Sequence, residues 1–428
     1  MGRVPHIVPR RKKARRLGLV QILKRSELES LEVDARLEAI RCLIPLGLLY
    51  IGEELQREVE ALAGRRYRRK PKGKACRRHG TNPGTVQLAG QKIPIRVPRL
   101  RDGEGEVPLS SYRVLHAADG NMDEALFRRV LYGVSCRNYE QAAEAIPGAI
   151  GLSSSSVSRR FVALSSARLR DFQERDLSHL DIVAMFLDGK SFAEDAMVIA
   201  VAVTSDGCKH CLGFVQTGTE NDRAVGQFLR LLVDRGLDVS QGLLAVIDGS
   251  KGLASALRKA FRGRVLIQRC QWHKRQNVVS YLAKNEQQFW KRRMQRAYER
   301  PTYEEAKEAL ARIRRELAEI NESALRSLDE GFEETLTLHR LGLFPLLGRS
   351  LKTTNIIESI NSQAEGHCGR VDCWQNSNQK HRWLAAALLE IEPRLSRVPG
   401  YRHLPALRSA LQQELGIADV RKEDECVA

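Results

Sequence analysis

Residues 181–192 read DIVAMFLDGKSF and residues 243–249 read LLAVIDG. Both are short apolar runs without helical spacing, which predicts buried strands. Each also meets an Asp-Gly pair, Asp188-Gly189 in the first and Asp248-Gly249 in the second. Working outward, MVIAVAVTSDG over 197–207 predicts a second strand, with Asp206-Gly207 as a hairpin turn into CLGFVQTG over 211–218. A helix is predicted over Asp222 to Arg235, then the strand LLAVIDG, a helix over Leu253 to Arg262, the strand VLIQRC over 265–270, and a long helical stretch. Hairpin-joined strands followed by strand-helix units imply an α/β protein with a mixed sheet flanked by helices. Between Asn285 and Leu341 the chain is charged and rich in helix formers, so a helical insertion is expected there.

A carboxylate at the tip of a buried strand sits on a rigid element, and a glycine beside it lets a ligand backbone approach. That is a suitable place for a divalent-metal ligand. A single strand-ending Asp often serves only as a turn former or helix cap. Finding Asp188 and Asp248 in neighbouring strands of one predicted sheet favours the ligand reading for both. A third carboxylate is offered by LKTTNIIESINSQAE over 351–365, where Thr353 or Thr354 can cap a helix and Ile356, Ile357 and Ile360 give it an apolar side. Glu358 would share a polar stripe with Asn361, Ser362 and Glu365, and spacing leaves Glu358 and Glu365 as alternatives.

The chain has 428 residues, enough for two to four domains. Its 70 Lys and Arg against 52 Asp and Glu give a net charge of +18, which suits a polyphosphate partner. The 43% hydrophobic content argues against overall disorder. Nine cysteines, an odd and scattered set, do not form a secreted disulfide framework. The longest apolar stretch, CLIPLGLLYIG over 42–52, is broken by Pro45 and too short to span a membrane. A cytoplasmic, bacterial protein is expected, nucleoid-associated when it works.

The positive charge is clumped. Arg3 to Arg25 and Arg65 to Arg78 each hold nine basic residues and no acid. Within the second run, Arg65, Arg66, Arg68, Arg69 and Lys70 are candidate phosphate contacts, and Tyr67 could stack on a base or sugar; a solvated linker is the alternative. Glu27 to Leu62 between the runs reads as helix, and TVQLAG with KIPIRVPRL reads as a small hairpin. Residues 121–165 suggest three helices: Asp123 to Leu131, Tyr139 to Ala145, and one opening at GLSSSSVSRRF. Val157 and Phe161 would face inward, Ser153 or Ser154 would cap, and Ser155, Ser156, Arg159 and Arg160 would meet DNA, as in a helix-turn-helix.

The blocks FLDGKSF, AVIDGSKGL, QRCQWHK, LKTTNIIESINS and RWLAAALLEIEPRL, in that order, resemble the mutator-type family of bacterial insertion-sequence transposases. The resemblance runs from about Arg77 to Leu395. It implies a ribonuclease-H-like catalytic core with an Asp-Asp-Glu triad, at Asp188, Asp248 and Glu358, interrupted by a helical insertion before the glutamate. It further implies Mg²⁺, with Mn²⁺ able to substitute, held by those three carboxylates as catalytic and metal residues. The expected reaction is cleavage and strand transfer at the terminal inverted repeats of an element, with target DNA as the second substrate and a homodimer or larger synaptic complex as the working form. Cys270, Trp272, His273 and Asn361 are expected to support the active site. A zinc site built from Cys208, Cys211, Cys270 and His273 is conceivable but disfavoured, because Cys208 and Cys211 fall in a hairpin turn.

The expected organisation is a basic helical region over 1–75, a small β-rich segment over 76–120, and a helix-turn-helix-like DNA-binding region over 121–175. The core's first part follows over 181–284, the insertion over 285–345, and the catalytic-glutamate helix with C-terminal helices over 346–428. The rival reading is a domesticated or inactive helix-turn-helix DNA-binding protein, which would be marked by loss of a triad carboxylate; all three are present. A P-loop ATPase is excluded because no GxxxxGK[ST] segment exists.

Overall fold

A computed structural model describes residues 50–67, 76–88, 91–116, 120–139, 152–192, 195–218 and 222–417. The chain divides into two compact units, residues 1–164 and 165–428.

In the first unit, helix α1 covers residues 50–63. Three antiparallel strands follow in the order β1-β2-β3: β1 (Arg77–Leu88), β2 (Gln91–Arg101) and the two-residue β3 (Glu106–Val107). Leu55 and Val59 of α1 are buried with Leu100 and Leu109, forming a small core under this ribbon. The Glu58 carboxylate accepts from the backbone N–H groups of Ser110 and Ser111, at 2.7 and 2.9 Å, and so caps helix α2 (Ser110–His116). The predicted hairpin is therefore present, but its strands reach further than the apolar alternation indicated. RRHGTNPG looks like loop, yet it pairs with β2 through an irregularity between Arg78 and Thr81.

Helix α3 (Gly120–Leu131) and helix α4 (Ser154–Glu174) meet through Phe127 and Phe161, whose rings stack at 5.3 Å. Val157 and Phe161 are buried, as their spacing implied. The helix expected from Tyr139 onward lies, past Tyr139, outside the described residues. So does most of the helix expected over 27–62.

The second unit is built on a five-stranded sheet in the order β6-β5-β4-β7-β8. Its strands are β4 (Ile182–Phe192), β5 (Asp195–Thr204), β6 (Lys209–Thr217), β7 (Leu243–Ile247) and β8 (Val265–Arg269). The first three are antiparallel neighbours, whereas β7 and β8 run parallel to β4. Helices α5 (Asp222–Asp234) and α6 (Lys251–Phe261) supply the parallel crossovers and pack on one face. There Met185, Leu187, Val198, Ala200, Ala245 and Ile247 join Phe228, Leu229, Leu232, Leu253 and Leu257 in the main core. Side chains alternate across a strand, so Asp188, Lys190 and Phe192 fall on the other face.

Helix α7 (Gln271–Ser280) leaves the edge strand β8 and leads into α8 (Lys284–Tyr298), α9 (Tyr303–Ile320) and α10 (Glu322–Asp329). Thr302 and Asn321 cap the last two by accepting from Glu305 and Ala324 N–H groups. These helices have a core of their own, with Trp290, Met294, Leu310, Ile313, Leu317 and Leu328 around Val278 and Val279. Two short turns, α11 (Phe332–Thr335) and α12 (Thr337–Arg340), return the chain to β8, where the Thr337 hydroxyl donates to the Ile267 carbonyl at 2.6 Å. Then come α13 (Phe344–Leu351), α14 (Asn355–Cys368), α15 (Ser377–Ile391) and α16 (Leu404–Glu414). Helices α14 and α15 cover the second sheet face: Lys190 binds Glu365 at 2.5 Å, and His381 lies 2.9 Å from Gln216 of β6. Among the described residues, no helix is long and apolar enough to cross a membrane.

Candidate active site at the β4–β7 junction

The parallel register fixes the two aspartates. Leu187 is the last residue of β4 paired with β7, opposite Ile247, so Asp188 and Asp248 are the next residues on adjacent strands. Neighbouring strands are about 4.8 Å apart, which brings both carboxylates to one side of the sheet edge. One detail differs from the sequence reading. Asp248 follows the end of its strand, but Asp188 is inside β4, paired with Ile199 of β5. Gly189 does not stop the strand because the β4–β5 hairpin continues to Phe192. At Asp248 the chain does turn: Gly249 adopts φ 125, a region L side chains rarely enter, and the Ser250 N–H donates to Asp248 Oδ1 at 3.0 Å.

Helix α14 brings the remaining polar groups. Asn361, 3% exposed, donates through Nδ2 to Asp188 Oδ2 at 3.0 Å, while its own Oδ1 is buried without a hydrogen-bond partner. Glu358, one turn earlier, acts electrostatically on Asp188 together with Asp248. Burial first, and then the Asp248 charge, push the Asp188 carboxyl up to about 6; Glu358 adds to this, while His273 and the Asn361 bond oppose it. Glu365, two turns further along α14, is held by Lys190.

Thr354 stands before α14, yet its side chain does not cap the helix. Its hydroxyl donates to Glu358 Oε1 at 2.6 Å and lies 3.3 Å from His273 Nδ1 and 3.4 Å from Cys270 Sγ. The Thr354 N–H also points at Cys270 Sγ, 3.5 Å away. Cys270 is fully buried, which by itself raises a thiol pKa; hydrogen bonds from His273 and Thr354 outweigh that and lower it. His273 is correspondingly raised, first by its bond to Cys270. Sγ of Cys270, a ring nitrogen of His273 and a carboxylate oxygen of Glu358 lie within 4.8 Å of one another. Trp272, 42% exposed, meets the His273 ring edge-on at 4.8 Å.

The block QRCQWHK thus divides by direction. Cys270, Trp272 and His273 belong to the site, whereas its other residues fasten the helical insertion. Gln268 and Gln271 both donate to the Thr335 carbonyl at 2.9 Å. The Lys274 ammonium is buried on the Ser327 and Glu330 carbonyls, and burial pulls its pKa down to about 8. Arg269 donates to the Gly249 carbonyl at 3.0 Å and pairs with Glu334 and Glu330, tying the loop after Asp248 to the insertion. Gly331 is required there: its φ is 64, and a Cβ would collide with the Arg269 side chain. Arg269 and Lys274 carry no sequence signal as site supports, because a buried cation is identified only by the carbonyls and carboxylates that surround it, and Thr354 reads in the sequence only as a helix cap.

Other sequence candidates fall elsewhere. Cys208 and Cys211 belong to the β5–β6 hairpin, and β6 and β8 are opposite edges of the sheet. Four strand spacings, roughly 19 Å, separate them from Cys270 and His273, so those four residues form no common metal site. Arg65 and Arg66 are exposed after α1, the Arg66 guanidinium 5.3 Å from the ring centre of Tyr67. Arg68, Arg69 and Lys70 lie outside the described residues. Ser155 and Arg159 are exposed near the start of α4, with Ser156 and Arg160 half-buried beside them.

Asp188 and Asp248, with Glu358 near enough to act electrostatically on Asp188, offer hard carboxylate oxygens of the kind that suits Mg²⁺ or Mn²⁺, and the buried Asn361 Oδ1 beside them has no partner among the described residues. Comparison with known proteins finds relatives that cover most of the chain. The chain is 26% identical over 328 residues, 73% of its length and 78% of the relative's, to "Transposase for insertion sequence element IS256 in transposon Tn4001" of Staphylococcus aureus. It is 26% identical over 378 residues, 84% of its length and 91% of the relative's, to the transposase for insertion sequence element IS406 of Burkholderia multivorans. The transposase for IS905 of Lactococcus lactis is likewise 26% identical, over 73% of this chain and 77% of the relative. The family described as "Transposase, Mutator family" matches residues 38–394, and with that match across most of its length this chain belongs to the Mutator family of transposases.

Proposed function

We propose that the chain catalyses metal-dependent DNA cleavage and strand transfer at the terminal inverted repeats of an insertion sequence, on a ribonuclease-H-like core. The observation that carries this is the register of β4 against β7, which sets Asp188 beside Asp248, with Asn361 of α14 bonded to Asp188. The strand order, with three antiparallel strands followed by two parallel ones, supports the fold assignment.

Asp188, Asp248 and Glu358 would hold two Mg²⁺ ions. Such a pair, when bound, activates a water or a DNA 3′-hydroxyl on one side of a phosphorus and stabilises the leaving oxygen on the other. The protein's own contribution is to place and charge the ligands. Asn361 fixes the Asp188 carboxylate through one oxygen and leaves the other free. Thr354 fixes Glu358 Oε1 and leaves Oε2 free. Burial and the neighbouring carboxylates raise the Asp188 carboxyl to about 6, and a cation bound beside it would favour its ionised form. In the first reaction water breaks a phosphodiester and leaves a 3′-hydroxyl at the element end. In the second that hydroxyl attacks a target phosphodiester, one ester bond replacing another without ATP.

The basic N-terminal half, including Arg65, Arg66, Ser155 and Arg159, would supply phosphate and base contacts to the ends. Two ends must be held together, which calls for a dimer or larger synaptic assembly. The test is cleavage and joining of labelled inverted-repeat duplexes in Mg²⁺. Wild type should release 3′-hydroxyl ends and join them to target, while Asp188→Asn, Asp248→Asn and Glu358→Gln should bind the ends and do neither. Cleavage by any of the three at the wild-type rate would sink the assignment.

A further inference from the structure

We infer that Cys270, His273 and Glu358 form a binding site for a soft or borderline divalent cation of the Zn²⁺ or Cd²⁺ class, distinct from the hard-ion site, and that its occupation takes Glu358 away from catalysis. The second half of this inference rests on the functional reading above; the first does not.

The geometry is that of a nearly closed three-ligand set. The candidate atoms lie within 4.8 Å of one another, and His273 Nδ1 is 3.9 Å from Glu358 Oε1. Ligands about 2.0–2.3 Å from a tetrahedral zinc stand roughly 3.3–3.8 Å apart, so side-chain movements of about 1 Å would complete the site. Cys270 precedes the first turn of α7 and His273 lies three residues on, which puts sulfur and imidazole on one side of the same helix start. Glu358 approaches from the first turn of α14. A thiolate and an imidazole in one site select against Mg²⁺ and for zinc-like ions.

The surroundings favour a bound cation. The sulfur receives hydrogen bonds from His273 and Thr354, an arrangement suited to the thiolate that a metal needs. His273 and Glu358 are partly exposed, giving an ion a way in, and the Thr354 hydroxyl, which lies 2.6–3.4 Å from all three ligand atoms, would turn aside to admit it. The proton shared between Cys270 and His273 leaves to solvent as the ion binds, so that the sulfur ligates as a thiolate and the facing ring nitrogen as a neutral imidazole. Glu358 would then close one site or the other, so a soft ion acts as an inhibitor competing with Mg²⁺ for that carboxylate.

Co²⁺ titration of the full-length protein tests the site without reference to activity, because a thiolate bound to tetrahedral Co²⁺ gives charge-transfer and visible d–d bands. One such site per chain is expected, displaced by Zn²⁺. The charge-transfer band should vanish in Cys270→Ser, and His273→Gln should bind at least tenfold more weakly, which covers the case in which Cys270→Ser fails to fold. Asp188→Asn should keep the wild-type spectrum and affinity. An unchanged spectrum in Cys270→Ser, wild-type affinity in His273→Gln, or loss of the spectrum in Asp188→Asn would overturn the site. In Mg²⁺ cleavage assays of wild type, Zn²⁺ should inhibit at concentrations that displace Co²⁺, and added Mg²⁺ should relieve the inhibition. A Cys270-dependent spectrum without inhibition would keep the site and contradict the catalytic role of Glu358.

Discussion

Leu187 and Asp188 are neighbours in β4, and Ile247 and Asp248 are neighbours at the end of β7, yet each pair looks into two different environments. Leu187 and Ile247 are fully buried against α5 and α6. Asp188 and Asp248 look the other way, toward Asn361, Glu358 and His273. One residue of offset turns a strand from scaffold into site, because the side-chain period of a strand is two. The apolar face makes the backbone rigid, and that rigidity sets the spacing of the carboxylates on the other face.

The comparison predicts opposite phenotypes for adjacent residues. Asp188→Asn should lower Mg²⁺-dependent cleavage by at least about 10³-fold, read with labelled end duplexes. The same change should raise the melting temperature measured in EDTA above pH 6. The raised native pKa of Asp188 means that the folded chain binds this proton more tightly than the unfolded chain does, so ionisation costs native stability as pH rises from about 4 through about 6. A neutral amide removes that cost. Leu187→Ala should behave the other way, losing about 2–5 kcal/mol of stability in urea unfolding while the folded fraction keeps cleaving. If Leu187→Ala lost cleavage and kept its stability, the division of labour between the two faces would be wrong.

Acid stability sharpens the contrast by isolating a group outside both faces. His339 is 2% exposed, stacks on Phe344 at 3.7 Å, and donates from Nε2 toward the Tyr298 and Arg300 carbonyls. Burial pulls its pKa down to about 4 from 6.5. Between those values the unfolded chain holds a proton that the folded chain does not. Its stabilising effect is therefore full above about pH 6.5 and is lost as pH falls toward 4, by at most about 3 kcal/mol. Melting temperatures across pH 4–7 should fall less steeply in His339→Gln than in wild type. An unchanged slope would assign the acid sensitivity to other groups.

Asn361→Ala should have a smaller effect than the carboxylate substitutions, about a tenfold loss of cleavage, because it removes one bond to Asp188 and leaves all three carboxylates. A loss as large as that in Asp188→Asn would give Asn361 a direct part in holding the cation.

Much of the second unit was legible in the sequence, for an identifiable reason. The β4, β5 and β7 runs are apolar on both sides because helices cover both faces, and such runs stand out without any partner being known. The end of β4 was not legible. Asp188-Gly189 looks like a strand ending, and only the hairpin with β5 shows that pairing continues to Phe192. In the first unit, β1 contains Gly80, Pro83 and Gly84, which read as loop, and it is a strand because β2 lies beside it. At the site, the polar stripe of α14 could be seen, but not how its two carboxylates are engaged. That depends on Lys190, which occupies Glu365, and on Thr354, whose hydroxyl goes to Glu358 instead of capping the helix. The two roles mixed in QRCQWHK were hidden for the same reason: direction around a helix start is set by the elements that pack on it.

The central claim is that the β4–β7 register and α14 assemble one metal-dependent site from Asp188, Asp248 and Glu358. The most direct test is the rate of 3′-hydroxyl release from an inverted-repeat duplex in Mg²⁺ by Glu358→Gln and Glu365→Gln, side by side with wild type. The account predicts no detectable release from Glu358→Gln and a rate within about twofold of wild type from Glu365→Gln, whose exposed ion pair with Lys190 contributes little. Full release from Glu358→Gln with loss in Glu365→Gln would contradict it.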